Sequence, residues 1–172
     1  REVASRKGFL CVGRFESLRA SVPYSGFDEA FRGLIKQLLA QSGDRVAAWR
    51  DNLLESLGAN AQLIINILPE LEMVIGSQPA PPELASAEDA RHRLNYAFKQ
   101  FVRVFARESH PLTIFLADLH DADPESLSLL GHLAGDRALR IPMAPGGTRS
   151  LNLATAVAIV LYEAARQQKP AW

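Results

Sequence analysis

One stretch constrains the fold more than any other: the apolar run LTIFLA at residues 112–117, followed at once by Asp118, His120, Asp121, Asp123 and Glu125. A strand-length run without polar alternation belongs in a sheet covered on both faces, which in a soluble chain means a parallel sheet flanked by helices. Such sheets open their ligand crevice at the carboxyl ends of the strands. The carboxylates after residue 117 therefore stand where an α/β protein keeps a binding site, although a solvated loop at a strand end would have the same composition.

The remaining periodicities agree with this class. Gly8 precedes the short apolar run 9–12, with Cys11 on it, and Gly13 closes it, which predicts a strand. Phe27, Phe31, Leu34 and Leu38 then recur at steps of four, three and four, which stacks them on one helical face, with Ser25 placed to cap the start and Asp28 in the acidic first turn. That helix is expected to end near Gly43. A second should cover 45–57 and close on Gly58, and an apolar segment at 63–68 is interrupted by Pro69. GSQPAPPEL at 76–84 reads as an extended connection. Ser86 and Asp89 mark the start of a long amphipathic helix through Leu94, Phe98, Phe101, Val102 and Phe105 to about Arg107, where His110-Pro111 stops it. A helical pattern resumes at 127–133, a short strand is expected at 139–143, and 151–167 reads as a helix rich in small residues, capped by Ser150 or Asn152. The order gives a helix-rich α/β chain, a partial parallel three-layer sheet with flanking helices.

Composition narrows the function classes. Lys plus Arg is 19 and Asp plus Glu is 19, so no global electrostatic case exists for nucleic acid or membrane binding. The longest apolar stretch, 153–162, is too short to cross a bilayer, and the opening REVASRKG is not a signal peptide. Cys11 is the single cysteine, which excludes an internal disulfide and a cysteine-based zinc site and makes a reducing cytoplasm the expected location; a buried small hydrophobe is its expected role. The four histidines lack metal-ligand spacing, so no metal site is expected, and His120 with Asp121 and Asp123 comes nearest to one. Trp49 and Trp172 read as packing and tail residues.

The segments VPYSGFDEAFRGLIKQLLAQS, WRDNLLESLGANAQLIINILPELEMVIGSQPAPPEL and LNYAFKQFVRVFARESHPLTIFLADLHDADPESLSLL keep a consistent order over about residues 1–130. They resemble the AAA-type signalling ATPase module of large bacterial hybrid histidine kinases and related Ser/Thr kinases. The resemblance implies that the strand near 112–116 is the Walker B strand and that paired acids stand at 117 and 118. Here Ala117 takes the first position, so only Asp118 is left as a catalytic candidate. The phosphate cradle of a P-loop protein requires G-x-x-x-x-G-K-S/T, and no such motif occurs in these residues. In the family it lies just upstream of the segment resembling REVASRKGFLCVGRFE, so the chain begins where that motif should have ended. Without the cradle, ATP and magnesium are not expected ligands, and a protein signalling partner is the implied target.

The tail RIPMAPGGTRSLNLATAVAIVLYEAARQQ, 140–168, resembles instead the last motif of SPOUT-type RNA ribose 2′-O-methyltransferases, above all the small tRNA cytidine/uridine enzymes. This resemblance implies a strand, loop and helix in which Ile141, Met143, Ser150, Leu151, Asn152 and Leu153 hold S-adenosylmethionine, Arg149 meets RNA, and the helix from Leu153 forms a homodimer interface. The family's upstream parts are not visible, and Gly146-Gly147 lengthens the loop.

Three readings follow. In the first, 1–135 is an AAA-type segment without its phosphate loop, acting by binding and signal relay rather than hydrolysis. In the second, the chain is an S-adenosylmethionine-dependent tRNA 2′-O-methyltransferase through 136–172. In the third, the two segments are joined between about 130 and 139 as a chimera with no function as a unit.

Overall fold

A computed structural model describes residues 8–19, 21–83, 86–107 and 110–134. The chain divides into two units, Arg1–Leu133 and Ala134–Trp172, and the elements below belong to the first, with the last helix ending at its boundary.

Strand β1, Phe9–Arg14, pairs in parallel with β2, Leu112–Ala117, in unbroken register from Phe9↔Leu112 to Arg14↔Ala117. Along β1 burial alternates strictly, so Phe9, Cys11 and Gly13 enter the core while Leu10, Val12 and Arg14 face outward. Between the strands lie α1 (Ser25–Leu39), α2 (Gly43–Leu57), the short α3 (Ala61–Ile65) and α4 (Glu72–Ile75), and the long α5 (Ala87–Phe105); α6 (Pro124–Ala134) follows β2.

Close contact between α1 and β1 depends on two glycines. A Cβ at Gly13 would collide with the carbonyl oxygen of Gly26 and stand 2.9 Å from the Ala30 Cβ, and a Cβ at Gly26 would come within 2.6 Å of the Phe15 ring. Removing both side chains lets the helix lie directly on the strand. Beneath this contact Phe15, Phe27, Phe31, Phe98, Phe101 and Phe105 are fully buried. Edge-to-face contacts link them, with ring centroids 5.5 Å apart for Phe27 and Phe98, 5.4 Å for Phe98 and Phe31, and 5.2 Å for Phe101 and Phe105. Each such ring contributes roughly 1.5–3 kcal/mol through burial alone. Cys11, wholly enclosed, has its thiol pushed up from 9.0 to about 12 by burial, which makes it the inert hydrophobe its sequence position implied.

The parallel α/β class holds, with corrections in detail. Among the described residues the sheet has two strands, not the larger three-layer array, and β2 is only partly buried rather than sealed on both faces. Leu112, Ile114 and Leu116 pack on the helical core, while the outward face shared with Leu10 and Val12 leaves those two side chains 51% and 54% exposed. Ser25 is the first helical residue of α1 rather than its cap; Tyr24 occupies the cap position in the left-handed region, φ 64°, without a capping side chain. Pro69 opens a turn of 3-10 helix leading into α4, since proline at a first helical position forfeits no hydrogen bond. Helix α5 begins as expected, with Ser86 accepting from the Asp89 N–H, but ends at Phe105, because Ala106 leaves helical geometry and Arg107 pairs back to His110. The strand expected at 139–143 and the helix at 151–167 lie outside the described residues.

Candidate functional site

Beyond the paired strands, the Phe15 N–H donates to the Ala117 carbonyl at 3.1 Å and holds the two carboxyl ends together. The chain then turns sharply at Asp118, whose left-handed backbone (φ 56°, ψ 45°) is one that aspartate tolerates better than most residues. A single 3-10 turn, Leu119–Asp121, leads into α6. Ala117 thus ends the strand with no oxygen on its side chain, and Asp118 Oδ2 sits 3.2 Å from Arg14 Nε at the matching end of β1. Both side chains are largely open to water, so the pair contributes at most about 1 kcal/mol.

Two of the acids after Asp118, Asp121 and Asp123, are engaged by the protein itself. Ser17 Oγ donates to Asp121 Oδ1 at 2.7 Å. Asp123 is 4% exposed and is the N-cap of α6: the Ser126 N–H donates to Oδ1 at 2.8 Å, and the Ser126 hydroxyl donates to Oδ2 at 2.6 Å. The Tyr24 N–H donates to the same Oδ2 at 3.3 Å, tying the start of α1 to the start of α6. The tyrosine at this junction has its phenol pushed upward, first by burial and then by the carboxylates of Glu125 and Asp123, with Arg91 opposing.

Across the mouth of the strands, the Arg14 N–H donates to Glu29 Oε2 at 2.7 Å. One turn deeper, Arg32 bridges Asp28 at 2.7 Å and Glu70 at 2.8 Å, with Arg19 3.8 Å from Asp28. Asp28 and Glu70 are paired with arginines of the same chain, although Asp28 Oδ1 and Glu70 Oε2 are buried without a hydrogen-bond partner.

Asp118 therefore stands where the sequence placed it, at the end of β2, but paired with Arg14. His120, Asp121 and Asp123 are not brought together as one set: His120 Nε2 lies 3.4 Å from Asp121 Oδ2, while Asp123 is turned inward to its cap. Ile141, Met143, Arg149, Ser150, Leu151, Asn152 and Leu153 lie outside the described residues. Asp123 is the functional feature that reading the loop as a run of acids missed. Its signal was present as Asp123-Pro124-Glu125-Ser126, a cap followed by proline at the first helical position.

The sequence profile of the AAA ATPase domain matches residues 1–144. Its span takes in the 139–143 segment that sequence reading had placed in the methyltransferase-like tail. The hybrid signal transduction histidine kinase G of Dictyostelium discoideum is 38% identical over 122 residues, 71% of this chain, and the chain spans 4% of that protein's length. No solved structure matches the chain.

Proposed function

Because the chain belongs to the AAA ATPase domain family, we propose that these 172 residues serve as a binding and signal-relay module of that family, without turning over ATP. One observation carries this reading: at the end of β2, Ala117 supplies no ligand oxygen, which leaves Asp118 as the single acid at the strand end. A magnesium ion asks for near-octahedral oxygen donors at about 2.1 Å. The carboxylates beyond β2 are a poor match to that demand, since Asp121 is held by Ser17 and Asp123 is committed to the α6 cap. The sequence adds that these residues contain no G-x-x-x-x-G-K-S/T cradle for a triphosphate.

A signalling role draws its support from the relative, itself a hybrid signal transduction histidine kinase. The test combines phosphate release with thermal unfolding of this chain in the presence and absence of MgATP. A ligand present at a hundred times its Kd stabilises the native state by about 2.7 kcal/mol, which a melting curve resolves easily. The expected result is no magnesium-dependent phosphate release and no shift in Tm. A magnesium-dependent rise in Tm would contradict the reading.

A further inference from the structure

The amino ends of the strands face a different environment. A cavity of about 540 Å³ opens beside Phe9, Trp49 and His110, with Arg45, Arg107 and Asn52 also on its wall. A second, of about 380 Å³, follows between α2 and α5 and is lined by Tyr96, Gln100, Arg103 and Glu55 among others. Asn52 and Arg107 border both, so the two form one elongated groove along the α2/α5 seam.

Its apolar end is preorganised. Trp49 stacks on Phe105 with centroids 5.3 Å apart and planes 28° from parallel, while Phe9 and His110 meet it edge-on at 5.7 and 5.4 Å. The indole N–H donates to Gln41 Oε1 at 3.3 Å, and the His110 Nδ1–H donates to the Phe105 carbonyl at 2.8 Å. A ligand meeting these rings has little side-chain motion left to freeze. The rest of the groove carries a net positive charge, three arginines against Glu55: Arg45, Arg103 and Arg107 are exposed, and among the described residues none of them is in an ion pair.

We infer that the α2/α5 groove binds an acidic peptide segment of a partner protein, with an apolar or aromatic side chain of the peptide seated against Trp49 and Phe9. Charge complementarity selects this occupant. Three guanidinium groups match carboxylates bidentately, and the amides of Asn52 and Gln100 suit the peptide backbone. A nucleic acid strand is disfavoured, because one aromatic cluster is not the succession of platforms that stacked bases require. This inference deepens the relay reading, on which it rests, by naming the surface through which the relay would act.

The probe is a fluorescein-labelled oligo-glutamate peptide with one central phenylalanine, followed by fluorescence polarisation and by Trp49 emission in a Trp172→Phe background. Saturable binding is expected, weakened by raised salt, by replacing the phenylalanine with glycine, and at least about tenfold by the double variant Arg103→Glu, Arg107→Glu. Both substituted side chains are exposed, and a circular-dichroism melt confirms the fold of the variant. Three results would overturn the inference: no saturable binding below about 1 mM, binding unchanged in the double variant, or a single-stranded oligonucleotide that outcompetes the peptide. A parallel MgATP titration keeps the two claims separable, since nucleotide binding would remove the relay reading while leaving peptide binding to be judged by its own variants.

Discussion

The two ends of the sheet are built of different materials and treat their charges differently. At the carboxyl ends, Asp118, Asp121 and Asp123 are each met by a partner from the same chain: Arg14, Ser17, and Ser126 with the Tyr24 backbone. At the amino ends, aromatic rings pack on one another while Arg45 and Arg107 line a cavity. Between them runs the buried row from Phe15 through Phe27, Phe98, Phe31 and Phe101 to Phe105, so both ends rest on one continuous core. In an α/β sheet the strand carboxyl ends are the usual place for a ligand. Here Asp118, Asp121 and Asp123 are paired within the chain, and an arginine-lined groove lies at the other end.

Substitutions at the two ends should therefore differ in kind. Trp49→Ala is expected to have the largest effect, a loss of about 3 kcal/mol in urea unfolding, because the ring supports Phe9, Phe105 and His110 together. A loss of less than about 1 kcal/mol would mean that the aromatic floor is not preorganised. At the opposite end, Asp123→Ala should cost about 2 kcal/mol, by uncapping α6 and stranding the Ser126 hydroxyl and N–H. Asp123→Asn should recover the part of that loss that belongs to the cap, since its amide oxygen still accepts from the Ser126 N–H; equal damage from both would show that the second oxygen, which meets the Ser126 hydroxyl and the Tyr24 N–H, carries the role of the residue.

A third effect lies midway, at Cys11. The unfolded thiol ionises near 9.0 and the folded one only at about 12, so above pH 9 the unfolded state releases the proton first and stability falls as pH rises. The slope from this group is at most about 1.4 kcal/mol per pH unit. Comparing denaturation midpoints of the wild type and Cys11→Ala across that range should show a shallower alkaline decline in the variant; parallel curves would place the thiol in water. The smallest effect is expected of Arg14→Ala, below about 0.5 kcal/mol, because its pair with Asp118 is solvent-exposed. A larger loss would make that pair a structural clamp and sharpen the contrast with the open arginines.

Local signals carried the sequence reading a long way. Periodicity located β1, β2, α1, α2 and α5, and the Ser86 to Asp89 spacing correctly marked the α5 start, because strand and cap chemistry act over a few neighbouring residues. What was not legible depended on contacts between distant segments. Nothing near Gly13 in sequence says that Gly26 will lie against it, and nothing near Trp49 says that Arg107 and His110 will complete a cavity with it. Asp123 was misread as one acid among several because its burial is decided by α1, far away in sequence. Tyr24 in the left-handed region has no signal of its own, tyrosine being an uncommon occupant of that conformation.

The contrast between the two ends can be measured on a single preparation by calorimetric titration, first with MgATP and then with the oligo-glutamate peptide. If the carboxyl end takes no nucleotide and the amino-end groove takes the peptide, MgATP gives no heat beyond dilution and the peptide saturates. Saturable, magnesium-dependent heat with ATP, lost in Asp118→Asn, would contradict that assignment.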